Sequence, residues 1–443
     1  MTSNHANAGA VAGDGAAGDS KPVVCFLGPV TSYTHQATLS AFPAEKFDLM
    51  PVRTIKDIFE TTQSGRAAYG VVPFENSTNG SVVFTLDCFA DRAGAYPDLA
   101  VCAEIYLDVH HCLVGRRLPR RKRGGSNPNP PSGPEPPQLI SPSEADEEKE
   151  DLAASIRRIY SHPQAFGQCT RFLGARLRGV ETVDVSSTSR AAEIVREESS
   201  SSSPTSSFPP PGIFEAAAVS SAAAAEMLGL DVLARNIEDR ADNTTRFFVL
   251  RRRGGAGAGA GAGVGGETDA QVQGEVDGVD IESLLVRTRR RGPAGAGATT
   301  TAAAPPPPPP PPPMSTTATT TTSSSSPTTT TKSLVSFTVP HRSPGALADV
   351  LDCFRRSGLN LTSISSRPSL MEDDHYDDHQ PSSSSSPSPS FQYIFFVEFE
   401  GHRFRDPEGR VRDALAGVAA AARRWRWLGS WENMLASSSS SSS

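Results

Sequence analysis

Tyr69-Gly70-Val71-Val72-Pro73-Phe74-Glu75-Asn76-Ser77-Thr78-Asn79-Gly80 reads as a short apolar strand, Tyr69–Pro73, that empties into a polar turn, Pro73–Gly80. Aromatic and β-branched side chains suit a buried strand, and Asn, Ser, Thr and Gly suit the turn that ends it. The same design occurs twice more: at Tyr160-Ser161-His162-Pro163-Gln164, with Gln168 one helical turn beyond, and at Asp242-Asn243-Thr244-Thr245-Arg246-Phe247. Taken singly, each cluster reads as a turn or a helix cap. Three of them beside apolar strands point to one shared cleft, because open α/β sheets hold ligands beyond their strand ends.

Outward from residue 69, strands alternate with helices, the pattern of an α/β sheet. Val23–Leu27, Val101–Leu107 and Thr245–Leu250 read as strands. Thr34–Ala41, Thr188–Glu198 and the Ala-rich stretch Phe214–Leu228 read as helices. Further on, strand Leu334–Pro340, helix Gly345–Ser357, strands Leu359–Arg367 and Phe391–Gly401, helix Arg410–Ala422 and strand Trp425–Gly429 follow in turn. That order, βαββαβ, is ferredoxin-like. Low-complexity or polar segments punctuate the chain at 1–21, 116–150, 199–212, 251–332, 371–390 and 436–443. They cannot bury enough apolar surface to offset chain entropy and are expected to be disordered. The longest contains Pro305–Pro313, a polyproline rod of about 28 Å that reads as a spacer. The expected units are therefore 22–250 and 333–435, joined by a linker at 251–332.

Composition narrows the function. The 443 residues carry a formal net charge of −7, which leaves no electrostatic footprint for nucleic acid. The basic run Arg116–Arg123 lies in a Gly/Pro-rich insert and reads as a solvated loop. No apolar run is long enough for a membrane span, and the N-terminus lacks the pattern of a secretory signal. The six cysteines form no CxxC pair and read as small buried hydrophobes in a reducing compartment, which predicts a cytoplasmic protein. The nine histidines form no metal constellation, and the pair His110-His111 would point to opposite faces of a strand. The single GxGxxG match, Gly261–Gly266, lies inside a Gly/Ala repeat, and no P-loop occurs. The expected chemistry needs no cofactor and no metal.

Four motifs, in order, closely resemble those of the prephenate dehydratases. They are Phe26-Leu27-Gly28-Pro29 through Tyr33-Thr34-His35-Gln36-Ala37; Tyr69 to Ser77 with Thr85-Leu86-Asp87; Ser161-His162-Pro163-Gln164-Ala165 with Gln168-Cys169; and Asn243-Thr244-Thr245-Arg246-Phe247. The C-terminal unit is similar to the ACT regulatory domain that follows the catalytic domain in many of these enzymes. The resemblance implies a two-lobed catalytic domain like a periplasmic binding protein. It also implies a hydro-lyase reaction in phenylalanine biosynthesis: prephenate loses its ring carboxylate as CO2 and its C4 hydroxyl as water, giving phenylpyruvate. Aromatisation drives the reaction, so the enzyme chiefly helps hydroxide to leave, through a positioned proton donor. In the family that donor is the Thr of Thr-Arg-Phe, here Thr245. Asn76, Ser161 and Gln168 match positions lining the substrate, with Glu75 and Ser77 beside them on the same loop. Arg246 reads as a counter-charge for the substrate dianion or, equally, as a structural ion-pair partner. Arogenate dehydratase uses the same constellation, and a non-catalytic amino-acid sensor is the alternative of another class. A fused chorismate mutase, present in some relatives, is not expected.

In the ACT-like unit, Gly345-Ala346-Leu347 and Ser366-Arg367 match motifs that meet the effector phenylalanine in the family. Ser365 stands where an acidic residue is usual. Family ACT domains pair side by side, which implies a homodimer or homotetramer. A truncation ending near Leu250 is expected to stay active and lose inhibition, and coupling across so long a linker requires direct docking of the two units. In the first motif Thr31-Ser32 replaces the usual Gly-Thr, and a threonine needing φ > 0 would strain that loop.

Overall fold

The computed structural model describes residues 21–116, 156–201, 214–253, 330–340, 343–370 and 392–435. Apart from their ends, the expected disordered segments, the proline run and most of the basic run lie outside the described residues. At those ends the regular structure reaches further than expected. The helix Thr188–Ser201 enters the 199–212 segment, and strands reach Arg252 on one side of the linker and begin at Thr331 on the other.

The first lobe opens with β1 (Val23–Leu27), α1 (Tyr33–Ala41), β2 (Asp48–Val52), α2 (Ile55–Gln63) and β3 (Tyr69–Asn76). β1 pairs in parallel with both β2 and β3. A short β4 (Gly80–Ser81) turns back on β3, then α3 (Val83–Ala90) leads to β5 (Leu99–Asp108). The first two helix starts have local causes: Ser32 caps α1 and Thr54 forms a capping box with Asp57 at α2.

The chain then crosses into a second sheet. β6 (Cys112–Gly115), β7 (Ile156–Ser161), β8 (Glu181–Asp184), β9 (Phe214–Ser220) and β10 (Asp231–Ala234) lie there in the order β10-β6-β9-β7-β8. It returns as β11 (Thr244–Arg252), which runs antiparallel between β3 and β5. Two lobes joined by two crossings, 109–111 outward and 235–243 back, make the expected two-lobed fold. The Ala-rich stretch Phe214–Leu228 is half strand: β9 ends at Ser220 and only Ala222–Leu228 is helical. β9 is central and covered on both faces, with Ala218 against one apolar cluster and Ala217 against the other. Small side chains fit there, and tertiary packing overrides alanine's helix propensity.

The C-terminal unit has the expected βαββαβ order: β12 (Thr331–Thr338), helix Ala346–Arg356, β13 (Leu361–Pro368), β14 (Tyr393–Glu400), helix Arg410–Ala421 and β15 (Arg424–Glu432). Both helices cover one face of its sheet. The other face is not free. Leu334, Ile394, Phe396, Leu428 and Trp431 share one core with Phe74, Leu86, Phe89 and Phe248 of the first lobe. The sheets also join edge to edge, with Gly429 of β15 pairing in parallel with Val101 of β5, so that one ten-stranded sheet runs through both units. Gly429 has φ +153°, and a Cβ there would collide with the Val101 backbone, so the joint requires glycine.

Candidate functional site

The three polar clusters meet where the crossings pass between the lobes. The crossings hydrogen-bond each other: Val109 N–H donates to Asn243 O at 2.7 Å, and Ile237 N–H to His111 O at 3.0 Å. α1 adds a tie, because Gln36 donates to Ser221 in the second lobe at 2.9 Å.

At the base of the cleft, Asn76 ends β3 opposite Thr245 of β11. Its Nδ2 donates to Thr245 Oγ1 at 3.0 Å and to Asn243 Oδ1 at 2.8 Å, while its Oδ1 accepts from the backbone N–H groups of Thr78 and Asn79, each at 3.0 Å. The turn that stops the strand therefore also orients its last side chain. Asn243 Nδ2 donates onward to Gln168 Oε1 at 3.1 Å, and His111 Nε2 reaches the same oxygen at 2.7 Å. Tyr33, at the start of α1, closes the chain with its hydroxyl 2.9 Å from His111 Nδ1. Six side chains, from Thr245 to Tyr33, thus form one polar line across the cleft. Thr245 is half-buried, and among the described residues nothing accepts its hydroxyl proton, which is left for a ligand.

Asn76, Gln168 and Thr245 come together as expected. Ser161 does not join them. It is fully buried and its hydroxyl donates to Val219 O at 2.9 Å inside the second sheet. Ser77 ties down the returning crossing, donating to Asp242 O and accepting from Thr244 N–H, both at 3.0 Å. Glu75 is half-buried, with its carboxylate 3.8 Å from Arg246.

Arg246 is a structural ion-pair partner, not a counter-charge in the cleft. Successive strand residues face opposite sides, so Thr245 looks into the cleft and Arg246 away from it, toward the C-terminal unit. Arg246 is buried, 2.6 Å from both Glu104 and Glu398 and stacked over the ring of Phe248. Lys332 completes the group, 3.6 Å from Glu104 and 3.5 Å from Glu398. Burial works against the guanidinium charge, but the two carboxylates outweigh it and hold Arg246 above its usual range.

Three side chains of this line were not singled out in the sequence. Asn243 and Tyr33 stand inside quoted motifs. His111 reads from the sequence as part of a strand, whereas it lies on the outgoing crossing, outside β5 and β6. Thr31 has φ +110°, is buried, and has no partner for its hydroxyl, which is the strain its sequence implies. Among the described residues no His, Cys, Asp and Glu side chains gather as a metal site would require.

In the C-terminal unit, Gly345 has φ +85° and heads the helix Ala346–Arg356, with Ala346 buried and Leu347 half-buried. Ser366 is exposed. Arg367 is occupied, because Asp87 of α3 holds it at 2.8 and 3.0 Å, and Arg92 from the same lobe donates to Pro368 O. Thr338, the last residue of β12, and Arg367 both oppose Ile394 of the intervening β14, about two strand spacings or ~10 Å apart.

A family profile described as prephenate dehydratase matches residues 24–130 and 136–255. A bifunctional chorismate mutase/prephenate dehydratase from Aquifex aeolicus is 27% identical over 417 residues, covering 94% of this chain and 75% of that one. The prephenate dehydratase of Arthrobacter aurescens, solved in complex with L-Phe, superposes with a TM-score of 0.55 at 22% identity, covering 93% of this chain and 90% of that one. GqqA, described as a novel type of quorum quenching acylase, superposes with a TM-score of 0.53 at 22% identity, covering 93% and 97%. Such structural likeness establishes the shared fold, and a fold hosts more than one chemistry.

Proposed function

The chain belongs to the prephenate dehydratase family, and from that premise we propose that Thr245 is the proton donor of a decarboxylating dehydration of prephenate. The ring carboxylate leaves as CO2, its bonding pair enters the ring, and the C4–O bond breaks with its pair on oxygen. Thr245 delivers the proton that turns this oxygen into water. The observation that carries the reading is the Asn76–Thr245 contact. An N–H held on the far side of the hydroxyl oxygen supports its negative charge as the proton departs and leaves that proton aimed into the cleft. Solvent restores the proton afterwards. Gln168, half-buried beside Asn243, is the neighbouring substrate contact. Positive charge for the dianion does not come from Arg246, and backbone N–H groups around the start of α1 fit that role.

Phenylalanine is the proposed effector of the C-terminal unit. Support comes from Gly345 at a helix start, where a carboxylate is favoured, and from the L-Phe complex of the Arthrobacter aurescens protein. β13 is an edge strand with exposed Leu361 and Ile364, which supports pairing with a second copy. Six cysteines that form no disulfide with one another fit a cytoplasmic enzyme. One assay tests the reading: purified protein with prephenate or with arogenate, with and without phenylalanine, while phenylpyruvate and phenylalanine are followed. Turnover of prephenate that phenylalanine suppresses is expected. Turnover of arogenate alone would move the assignment to that substrate, and binding without turnover would indicate a sensor.

A further inference from the structure

We infer that His111 is a positioning residue that sets which end of the Gln168 carboxamide faces the substrate, and that it does so as the Nε2–H tautomer. The inference rests on the dehydratase reading for its kinetic consequence, not for its geometry.

The orientation of one carboxamide, Asn76, is fixed by the backbone. Thr78 and Asn79 are backbone donors, so the Asn76 oxygen must be the atom facing them, and its NH2 must face Asn243. A donor there requires the Asn243 oxygen, which turns the Asn243 NH2 toward Gln168. The Gln168 atom it meets must then be the oxygen, and that same oxygen lies 2.7 Å from His111 Nε2. An acceptor can be satisfied there only by a proton on Nε2. With both neighbours donating to its oxygen, Gln168 presents its NH2 to the cleft, a donor suited to a carboxylate or carbonyl oxygen. The opposite tautomer would place a lone pair against the Gln168 oxygen, or flip the amide and break its bond to Asn243.

Tyr33 meets the ring from the other side and accommodates that tautomer. Its hydroxyl is 2.9 Å from Nδ1 and 3.1 Å from His110 O. Burial raises the phenol well above its usual range, so it keeps its proton, and burial lowers His111, so the ring is neutral near pH 7. The phenol has one proton and two acceptors within reach, the His110 carbonyl and Nδ1; with the Nε2 proton fixed by the Gln168 oxygen, Nδ1 is a bare lone pair that takes the phenol proton at the shorter distance. Glu238 braces the pair, accepting from His111 N–H at 2.9 Å and contacting His110 Nδ1 at 2.8 Å.

The test begins with the full-length protein labelled with 15N at histidine. Long-range 1H–15N correlations report the tautomer, and His111→Gln identifies the His111 signals by their loss. A pyrrole-like Nε2 with a pyridine-like Nδ1 is expected, and the reverse pattern would overturn the inference. With prephenate, His111→Leu should lower kcat/KM by about tenfold to hundredfold, mostly through KM, as losing one oriented donor costs about 1–3 kcal/mol. His111→Gln carries an NH2 that can reach the Gln168 oxygen and should recover most of that loss. Equal losses in both variants would overturn the positioning role. Should His111→Leu fail to fold, Tyr33→Phe keeps the ring and removes the hydroxyl that meets Nδ1 and His110 O. The Nε2–H tautomer is expected to persist there, held by the Gln168 oxygen, and a switch to Nδ1–H would overturn the inference. A wild-type protein inactive on prephenate would refute the functional reading, and the tautomer pattern would still decide this one.

Discussion

Thr245 and Arg246 are neighbours on one strand, yet they belong to two differently built polar regions. Thr245 enters a line of neutral carboxamides, an imidazole and a phenol that face the cleft. Arg246 enters a buried group of four charges facing the C-terminal unit. A carboxamide has a donor end and an acceptor end, so donors running from Thr78 on one side and from His111 on the other converge on the Gln168 oxygen at little desolvation cost. Point charges carry less direction, but a balanced group holds two surfaces together firmly and is costly when half of it is removed. The difference teaches that β11 turns one face to the cleft and uses the other to be held in place. Two of the four charges, Glu398 and Lys332, come from the C-terminal unit, so that unit is part of what holds the strand.

Deleting the second region entirely should have the largest effect. A chain ending at Arg253 strips Leu334, Ile394, Phe396, Leu428 and Trp431 from the shared core. At about 1.5–3 kcal/mol for each buried side chain, the loss is about 10 kcal/mol, the size of a typical domain's whole stability. We expect insoluble or unfolded protein, contrary to the sequence-based expectation of an active, uninhibited fragment. A soluble fragment with native-like circular dichroism would show that the shared core matters little. Breaking the first region leaves the fold alone. Thr245→Ala should lower kcat by about 10²–10⁴-fold at unchanged melting temperature, while Thr244→Ala, whose hydroxyl meets Asp108 at an exposed edge, should cost little. Comparable turnover in the two variants would remove Thr245 as the donor.

Glu398→Ala sharpens the contrast, because it leaves the group with surplus positive charge. Urea titration should show destabilisation of about 3–5 kcal/mol, and an unmoved midpoint would mean that the group does not hold the units together. The smallest effect is expected at Thr31→Gly, which relieves the φ of +110° and removes an orphaned hydroxyl. Set against the added freedom of glycine in the unfolded chain, a net gain of about 1 kcal/mol should appear as a raised melting temperature. A lowered one would mean that Thr31 is held by contacts worth more than its strain.

Legibility in the sequence followed the range of the interactions. β1, α1 and the βαββαβ order could be read locally because each has its own apolar period or cap. β6, β8 and β10 have four residues each and no such signal, and β9 reads as helix until its neighbours cover it. In the cleft, Asn76, Gln168 and Thr245 were legible through motifs. The role of Arg246 was not, because its second carboxylate lies 152 residues further along the chain. His111 reads as one of two strand neighbours pointing to opposite faces, and only the crossing of the lobes brings Gln168 and Tyr33 to its two nitrogens.

The glycine joint between Gly429 and Val101, with the core behind it, also bears on the covalent path between the units. When two parts of a chain share a sheet and a core, the segment between them raises the local concentration of each for the other but is not what holds them together. A protease cut within 254–329 should therefore leave a complex that migrates as one particle on gel filtration. Residues 1–253 and 330–443 produced as separate chains in one cell should assemble into an active, phenylalanine-sensitive enzyme, although the first of them fails alone. In that sense the protein is a heterodimer whose subunits happen to be translated from one reading frame.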